Sequence, residues 1–256
     1  MLELQTPGFY YGTSNITLPG NKQSFPVQFH HKTRLHYYST LFNSLEVNSS
    51  FYKVPMSRTF AKWASEVDGD FRFTIKLWKG ITHNKGLIFE HEDVLKFLDS
   101  AAFIEPRQGC LLVQLPKSTG KQYAAQLREL LAAIRAHRSA FAWKIAVELR
   151  DPLWYTASTM KLLDKYEASL VQHDMPASQT NMINTAAGFV LLRFHGEKGD
   201  YRGSYSNEHL QRRANEVFNW LQQGKEVYAY FNNTIGSAYE NALTFAGMVG
   251  KMYHSS

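Results

Sequence analysis

Short apolar stretches alternate with segments of helical periodicity along the whole chain. Successive side chains of a strand point to opposite faces, and in residues 71–77 Phe71, Phe73, Ile75 and Leu77 alternate with Arg72, Thr74 and Lys76. In residues 144–150 the apolar side is Ile145, Val147 and Leu149, while Ala146, Glu148 and Arg150 share the other. Asp151-Pro152 then ends the strand, because proline lacks the N–H and restricts the residue before it. The same reading predicts strands at 9–12, 43–48, 109–115, 168–173, 189–196 and 226–233. The nearly continuous apolar run at 109–115 suits a parallel strand covered on both faces.

Between these strands, spacings close to i, i+3, i+4, i+7 predict amphipathic helices. They are carried by Leu35, Tyr38 and Phe42; Phe60, Trp63, Ala64 and Val67, with Ser57 as N-cap; Val94, Phe97, Leu98 and Ala101; and Leu127, Leu130, Leu131 and Ile134. Met160 and Leu163 mark a short helix. Leu210, Ala214, Val217 and Leu221, then Ala242, Phe245, Ala246 and Val249, mark the last two. Residues 175–188 lack this periodicity, so the sixth helix is predicted to be short or missing. Eight strands alternating with seven or eight helices predict one α/β domain over residues 1–256, a (β/α)8 TIM-like barrel. An open doubly wound sheet would need a Gly-rich fingerprint after the first strand, and Gly12-Thr13-Ser14-Asn15 is not one.

Composition narrows the class. With 256 residues, 44% of them hydrophobic, the chain can bury a core without staples. Its single cysteine, Cys110, excludes an internal disulfide framework and fits a reducing cytoplasm; its apolar setting predicts an inert core thiol. No signal-peptide pattern opens the sequence and no run of about 18 apolar residues interrupts it, so a cytoplasmic protein away from the membrane is expected. The net charge of +6 favours anionic partners.

Candidate chemistry lies at the predicted strand ends, where barrels of this kind carry their active sites. Ser14, Glu46, Asn48, Lys76, Gln114, Glu148, Arg150, Asp174, Arg193, His195 and Asn232 all fall there. Partly buried charges cost free energy unless they pair or bind something. Glu148, His195, Asp174 and Glu46 are therefore candidate catalytic residues. Lys76, Arg150, Arg193, Asn48, Gln114 and Asn232 are candidate substrate ligands, joined by His83 from the loop after strand three and Arg202 from the Gly-rich loop after strand seven. A purely structural ion network is the competing explanation.

Gly12-Thr13-Ser14, Asn43-x-x-Glu46-Val47-Asn48-Ser49-Ser50-Phe51-Tyr52, Ile81-Thr82-His83, Gln114-Leu115-Pro116, Glu148-x-Arg150-x-Pro152-x-Trp154, Arg193-x-His195-Gly196 and Tyr230-Phe231-Asn232-Asn233 together resemble the YecE-like family, domain of unknown function seventy-two. The resemblance spans almost the whole chain and implies a TIM-like barrel without an assigned activity. The family pattern has Gly-Trp where this chain has Asn15-Ile16.

Three chemistries compete at the strand ends. A metal site could draw on Glu46, Glu148, Asp174 and His195, but Lys76, Arg150 and Arg193 already balance the three carboxylates, and no His-x-x-x-His or Cys-x-x-Cys spacing occurs. No cofactor is predicted, and a divalent metal is the lesser alternative. Acid/base chemistry on a phosphorylated or carboxylated small molecule is the preferred reading. Arg150 would hold Glu148 ionised as the base, leaving His195 as the acid, and the loop 195–206, with Lys198 and Arg202, would close over the anion. Nucleic-acid binding or a metal-dependent phosphodiesterase is the alternative, with Tyr10, Tyr11, Tyr52, Trp78, Tyr201 and Tyr205 as aromatic surface. The oligomeric state is left open.

Overall fold

The computed structural model describes residues 6–180, 182–184 and 186–255. The strands are β1 (Phe9–Thr13), β2 (Ser44–Val47), β3 (Arg72–Lys76), β4 (Gln108–Leu115), β5 (Lys144–Leu149), β6 (Ser169–Leu170), β7 (Gln172–His173), β8 (Phe189–Phe194), β9 (Arg202–Gly203), β10 (Glu226–Phe231) and β11 (Ile235–Gly236). One sheet has the order β2-β3-β4-β5-β6, a second β1-β10-β8-β7, and β9 pairs with β11. Each of these pairings is parallel. β6 and β7 are separated only by Val171, whose N–H donates to Val147 O at 2.9 Å. At the other junction Ser14 and Glu46 form a parallel bridge, and Asn15 N–H donates to Glu46 O at 2.7 Å. β1 pairs with β10, which covers the strand expected at 226–233, with Tyr10 opposite Tyr228 and Gly12 opposite Tyr230.

The helices are α1 (Arg34–Ser39), α2 (Ser49–Tyr52), α3 (Ser57–Ser65), α4 (Lys79–Thr82), α5 (His91–Ala101), α6 (Ala124–Ala136), α7 (Ala157–Lys165), α8 (Asn207–Gln222) and α9 (Ala238–His254). Their starts follow capping chemistry: the hydroxyls of Thr33, Thr156 and Ser206 accept from the backbone N–H groups of His36, Thr159 and His209. Ser57, expected as an N-cap, is instead the first helical residue, and extended Met56 precedes it. Helices α2 and α4 were not anticipated, because four residues are too few to display a period. The described part of 175–188 holds no helix; Asn181 and Thr185 of that interval, like Met1–Gln5 at the start, lie outside the described residues. No helix of the described residues is long and apolar enough to cross a membrane.

Strand parity divides the interior in two. Phe73, Ile75, Val147, Leu149, Val190, Leu192 and Phe231 pack with Leu130, Leu131, Val217 and Phe245 of the helices. Full burial of such a side chain contributes roughly 1.5–3 kcal/mol. The opposite parity forms a second cluster with Tyr10, Cys110, Leu112, Ala146, Val171, Leu191, Tyr228 and Tyr230. Cys110 is fully buried, and burial pushes its thiol pKa up, as an inert core cysteine requires. The Tyr230 hydroxyl is satisfied by Ser44 Oγ at 2.6 Å and Thr74 Oγ1 at 2.7 Å. One step further towards the strand C-termini the same parity becomes charged, with Glu46, Lys76, Glu148 and Arg193.

Gly12 permits the close approach of β1 to β2: a Cβ there would run into Ser44 O and the Tyr38 hydroxyl, which itself accepts from Thr13 N–H at 2.7 Å. Gly12→Ala should therefore destabilise the chain by about 3 kcal/mol. The check is the denaturant midpoint; an unchanged midpoint contradicts this packing.

Candidate functional site

Arg193, at the inner end of β8, is 3% exposed and lies between two glutamates that are completely buried. Its Nε and Nη2 donate to Glu46 Oε2 and Oε1, each at 2.7 Å, and its Nη1 donates to Glu148 Oε2 at 2.5 Å. The other Glu148 oxygen accepts from Arg150 Nε. Glu46 Oε1 also accepts from Ser14 Oγ at 2.6 Å and Asn48 Nδ2 at 3.1 Å. Burial pushes both carboxyl pKa values up, but Arg193 outweighs it at Glu46, and Arg150 with Arg193 holds Glu148 well below the usual range. Burial lowers Arg193 and the two carboxylates more than reverse it, so the guanidinium stays charged.

His195, two residues on, is completely buried. Its backbone N–H donates to Asp174 Oδ1 at 2.8 Å, and its Nδ1 lies 3.3 Å from the same oxygen. Its Nε2 lies 3.1 Å from Arg150 Nη2. A guanidinium only donates, so Nε2 carries the lone pair and Nδ1 the proton. Asp174 Oδ2 accepts from the Tyr205 hydroxyl, whose oxygen accepts from Gly196 N–H at 2.5 Å. Burial pushes His195 down to about 4, opposed by the Asp174 hydrogen bond and aided by Arg193. Burial would raise Asp174, but the donors His195 and Tyr205 hold it below its ordinary value. The resting imidazole is thus neutral.

Lys76 ends β3 with its ammonium 4.0 Å from the Phe51 ring centroid and forms no ion pair among the described residues. Burial and Arg193 push its pKa down to about 8. His83 also contacts Phe51, in a T-shaped arrangement with centroids 4.7 Å apart, and bonds Thr82 Oγ1 at 2.8 Å. Burial and then Lys76 lower it to about 4. Gln114 is opposite Glu148 in register and buried. Asn48 leaves its buried Oδ1 without a partner among the described residues. Asn232 is half-buried, its N–H donating to Phe194 O at 2.7 Å.

Arg202 differs: it is exposed, its backbone is tied into the β9–β11 pairing, and no hydrogen bond or ion pair among the described residues joins its guanidinium to the charged cluster. Lys198 of the same loop instead lines a cavity of about 350 Å³ with Arg150 and Lys117. The expected aromatic surface is reduced as well. Tyr10 is buried and stacked on Tyr228 at 4.8 Å, and Tyr205 is buried against Asp174. Tyr52 and Tyr201 remain exposed. Sequence reasoning missed Tyr205 as the partner of Asp174, since nothing local links positions 31 residues apart. It also missed His173, whose Nε2 is 3.2 Å from Leu149 O and whose ring is 6.0 Å from that of His195. Among the described residues no group of three or more His, Cys, Asp and Glu is arranged to hold a metal ion.

The chain belongs to the family described as "Protein of unknown function DUF72", whose model matches residues 10–255. The UPF0759 protein YecE of Escherichia coli K12 is 28% identical over 123 residues, which are 48% of this chain and 43% of that protein. This match therefore spans less than half of that relative's length. The UPF0759 protein YunF of Bacillus subtilis strain 168 is 24% identical, over 83% of this chain and 84% of that protein. Among solved structures, a DUF72 family protein from Enterococcus faecalis V583 superposes with a TM-score of 0.78 at 23% identity, covering 94% of this chain and 95% of that one. One from Thermotoga maritima MSB8 gives 0.68 at 25%, covering 94% and 98%. SacUVDE shares the fold at 0.60 and 10% identity, covering 95% and 98%.

The protonation state of His195 has a sign that can be worked out. Its folded pKa of about 4 lies below the ordinary 6.5, so between these values the unfolded chain binds a proton that the folded chain does not. Stability should fall as pH drops through this window, and His195→Asn should remove that part of the loss. Imidazole ¹⁵N NMR should find Nε2 unprotonated from pH 7 to 5; a protonated ring at pH 6.5 contradicts the assignment.

Proposed function

We propose that residues 1–256 form one closed (β/α)8 barrel, and that it is a cytoplasmic enzyme performing acid/base chemistry on an anionic small molecule at the C-terminal ends of its strands. The observation that carries this reading is the buried neutral imidazole of His195, with Asp174, itself held by Tyr205, at one nitrogen and Arg150 covering the other. An imidazole so held is a positioned base waiting for Arg150 to be drawn away. The strand junctions at Val171 and at Ser14–Glu46 support closure.

The roles differ from those expected from the sequence. Glu148 accepts from two guanidiniums and is a weak base, so with Glu46 and Arg193 it makes a fixed electrostatic frame. His195, expected as the acid, holds a lone pair at Nε2 and is the better base. Lys76, protonated at neutral pH and free of a carboxylate ion pair among the described residues, is the better proton donor. An anionic substrate would draw on Arg150 and Lys76, because an incoming anion relieves the repulsion between them.

Nucleic-acid binding is the second reading, supported by the exposed Tyr52 ring with the Lys79 ammonium 5.8 Å from its centroid. A steep loss of affinity with salt would favour it.

The test is conversion of a panel of phosphorylated and carboxylated small molecules, followed by NMR. For a converted compound, kcat/KM should be flat between about pH 4 and about pH 8, falling below as His195 protonates and above as Lys76 loses its proton. His195→Asn should lower it roughly 10²–10⁴-fold. Lys76→Met should remove the alkaline fall. Turnover by His195→Asn at the wild-type rate overturns the reading.

A further inference from the structure

On the outer side of Arg150, the chain following β4, β5, β7 and β8 lines an open cavity of about 350 Å³, to which Lys117, Arg150 and Lys198 contribute without a carboxylate. Lys117 follows Pro116 at the end of β4, and Lys198 comes from the loop after β8. Met175, Pro176 and Ala177 form an apolar wall. That wall and the Lys198 loop are seated on one another: Gly199 has φ +70°, and a Cβ there would lie 3.0 Å from Pro176 Cδ. The far end of the loop is fixed by Arg202 and Gly203 pairing with Ile235 and Gly236. Lys198 is therefore carried on braced backbone rather than on a free flap.

Lys117 and Lys198 bring two cations to the cavity that Arg150, paired with Glu148, does not offset, and an oxyanion there would relieve their mutual repulsion. Arg150 connects this cavity to the chemistry. Its Nε is committed to Glu148 and its Nη2 to His195, while Nη1 has no hydrogen bond among the described residues.

We propose that this cavity seats a phosphate group of the substrate, with Lys117, Lys198 and Arg150 as its positive ligands. The assignment rests on the reading above only in placing the substrate at the strand ends. A phosphate group carries up to about two negative charges near neutral pH, enough to answer Lys117 and Lys198, while Arg150, already paired with Glu148, adds a donor at Nη1; the Met175–Ala177 wall suits the carbon skeleton next to it. A phosphate on Arg150 also competes for the guanidinium that covers His195 Nε2, so binding uncovers the base.

The probe is inorganic phosphate, titrated into the full chain at low ionic strength by calorimetry, with His195 followed by imidazole ¹⁵N NMR. Saturable one-to-one binding is expected, with the His195 Nε2 signal moving and its pKa rising. Lys117→Ala with Lys198→Ala should weaken binding about tenfold, and the two arginine replacements should keep it within about threefold. Lys85→Ala with Lys161→Ala, which removes the same charge elsewhere, should leave it unchanged. Sulfate should compete, and acetate should bind far more weakly. Wild-type affinity in the Lys117/Lys198 alanine pair, or equal loss in the control pair, overturns the phosphate seat. The two proposals fail separately. If the alanine pair keeps phosphate while His195→Asn loses turnover, the seat is wrong and the acid/base reading stands. If the alanine pair loses phosphate while His195→Asn turns over normally, the seat stands and the reading falls.

Discussion

A single guanidinium, that of Arg193, holds Glu46 and Glu148 together in the interior, and the charged end of the fold depends on it. The three residues come from β8, β2 and β5, so the contact ties one sheet to the other at their C-terminal ends. Removing Arg193 alone would leave two carboxylates facing each other without water, a cost of roughly 3–5 kcal/mol. The net charge of this trio is −1, and Arg150 neutralises it from the outer side through Glu148. Burying such a set stabilises little more than apolar side chains of the same volume would. Position is what it supplies: Glu148 fixes Arg150, and Arg150 fixes the state of His195.

The imidazole then follows from its neighbours. A donor-only arginine on Nε2 and a carboxylate at Nδ1 leave one tautomer, and Arg193 nearby disfavours a second positive charge. Tyr205 completes the set by engaging the Asp174 oxygen that His195 leaves free. Sequence spacing alone suggested Glu148 as base and His195 as acid, because it places them near Arg150 and Arg193 without saying which atoms meet. The atomic contacts fix which imidazole nitrogen carries the proton.

Much of the architecture was legible because strand parity is a strict signal. Ile145, Val147 and Leu149 entered one packing layer and Ala146 and Glu148 the other, as alternation required, and Val190 with Leu192 separated from Leu191 with Arg193 in the same way. The gathering of Glu46, Glu148, Arg193 and His195 was legible too, since each sits on the inward parity at a strand end. One-turn helices such as α2 and α4 escaped because a period needs more than one turn to show. The tie on Arg202 was not legible, since a Gly-rich loop reads as free, whereas residues of two loops pair here as β9 and β11. Lys117 carried no signal, because an exposed lysine after a proline resembles any other until a cavity forms around it.

The central claim is that the buried charges at the strand ends serve chemistry at no gain in stability. It is tested most directly by measuring the unfolding free energy, and the turnover of a converted compound, for Glu46→Leu/Glu148→Leu/Arg193→Met beside Arg193→Met alone. The triple variant should stay within about 1 kcal/mol of the wild type, or exceed it, while losing turnover, and Arg193→Met alone should lose several kcal/mol. A triple variant as unstable as the single one, with turnover intact, would make the network structural.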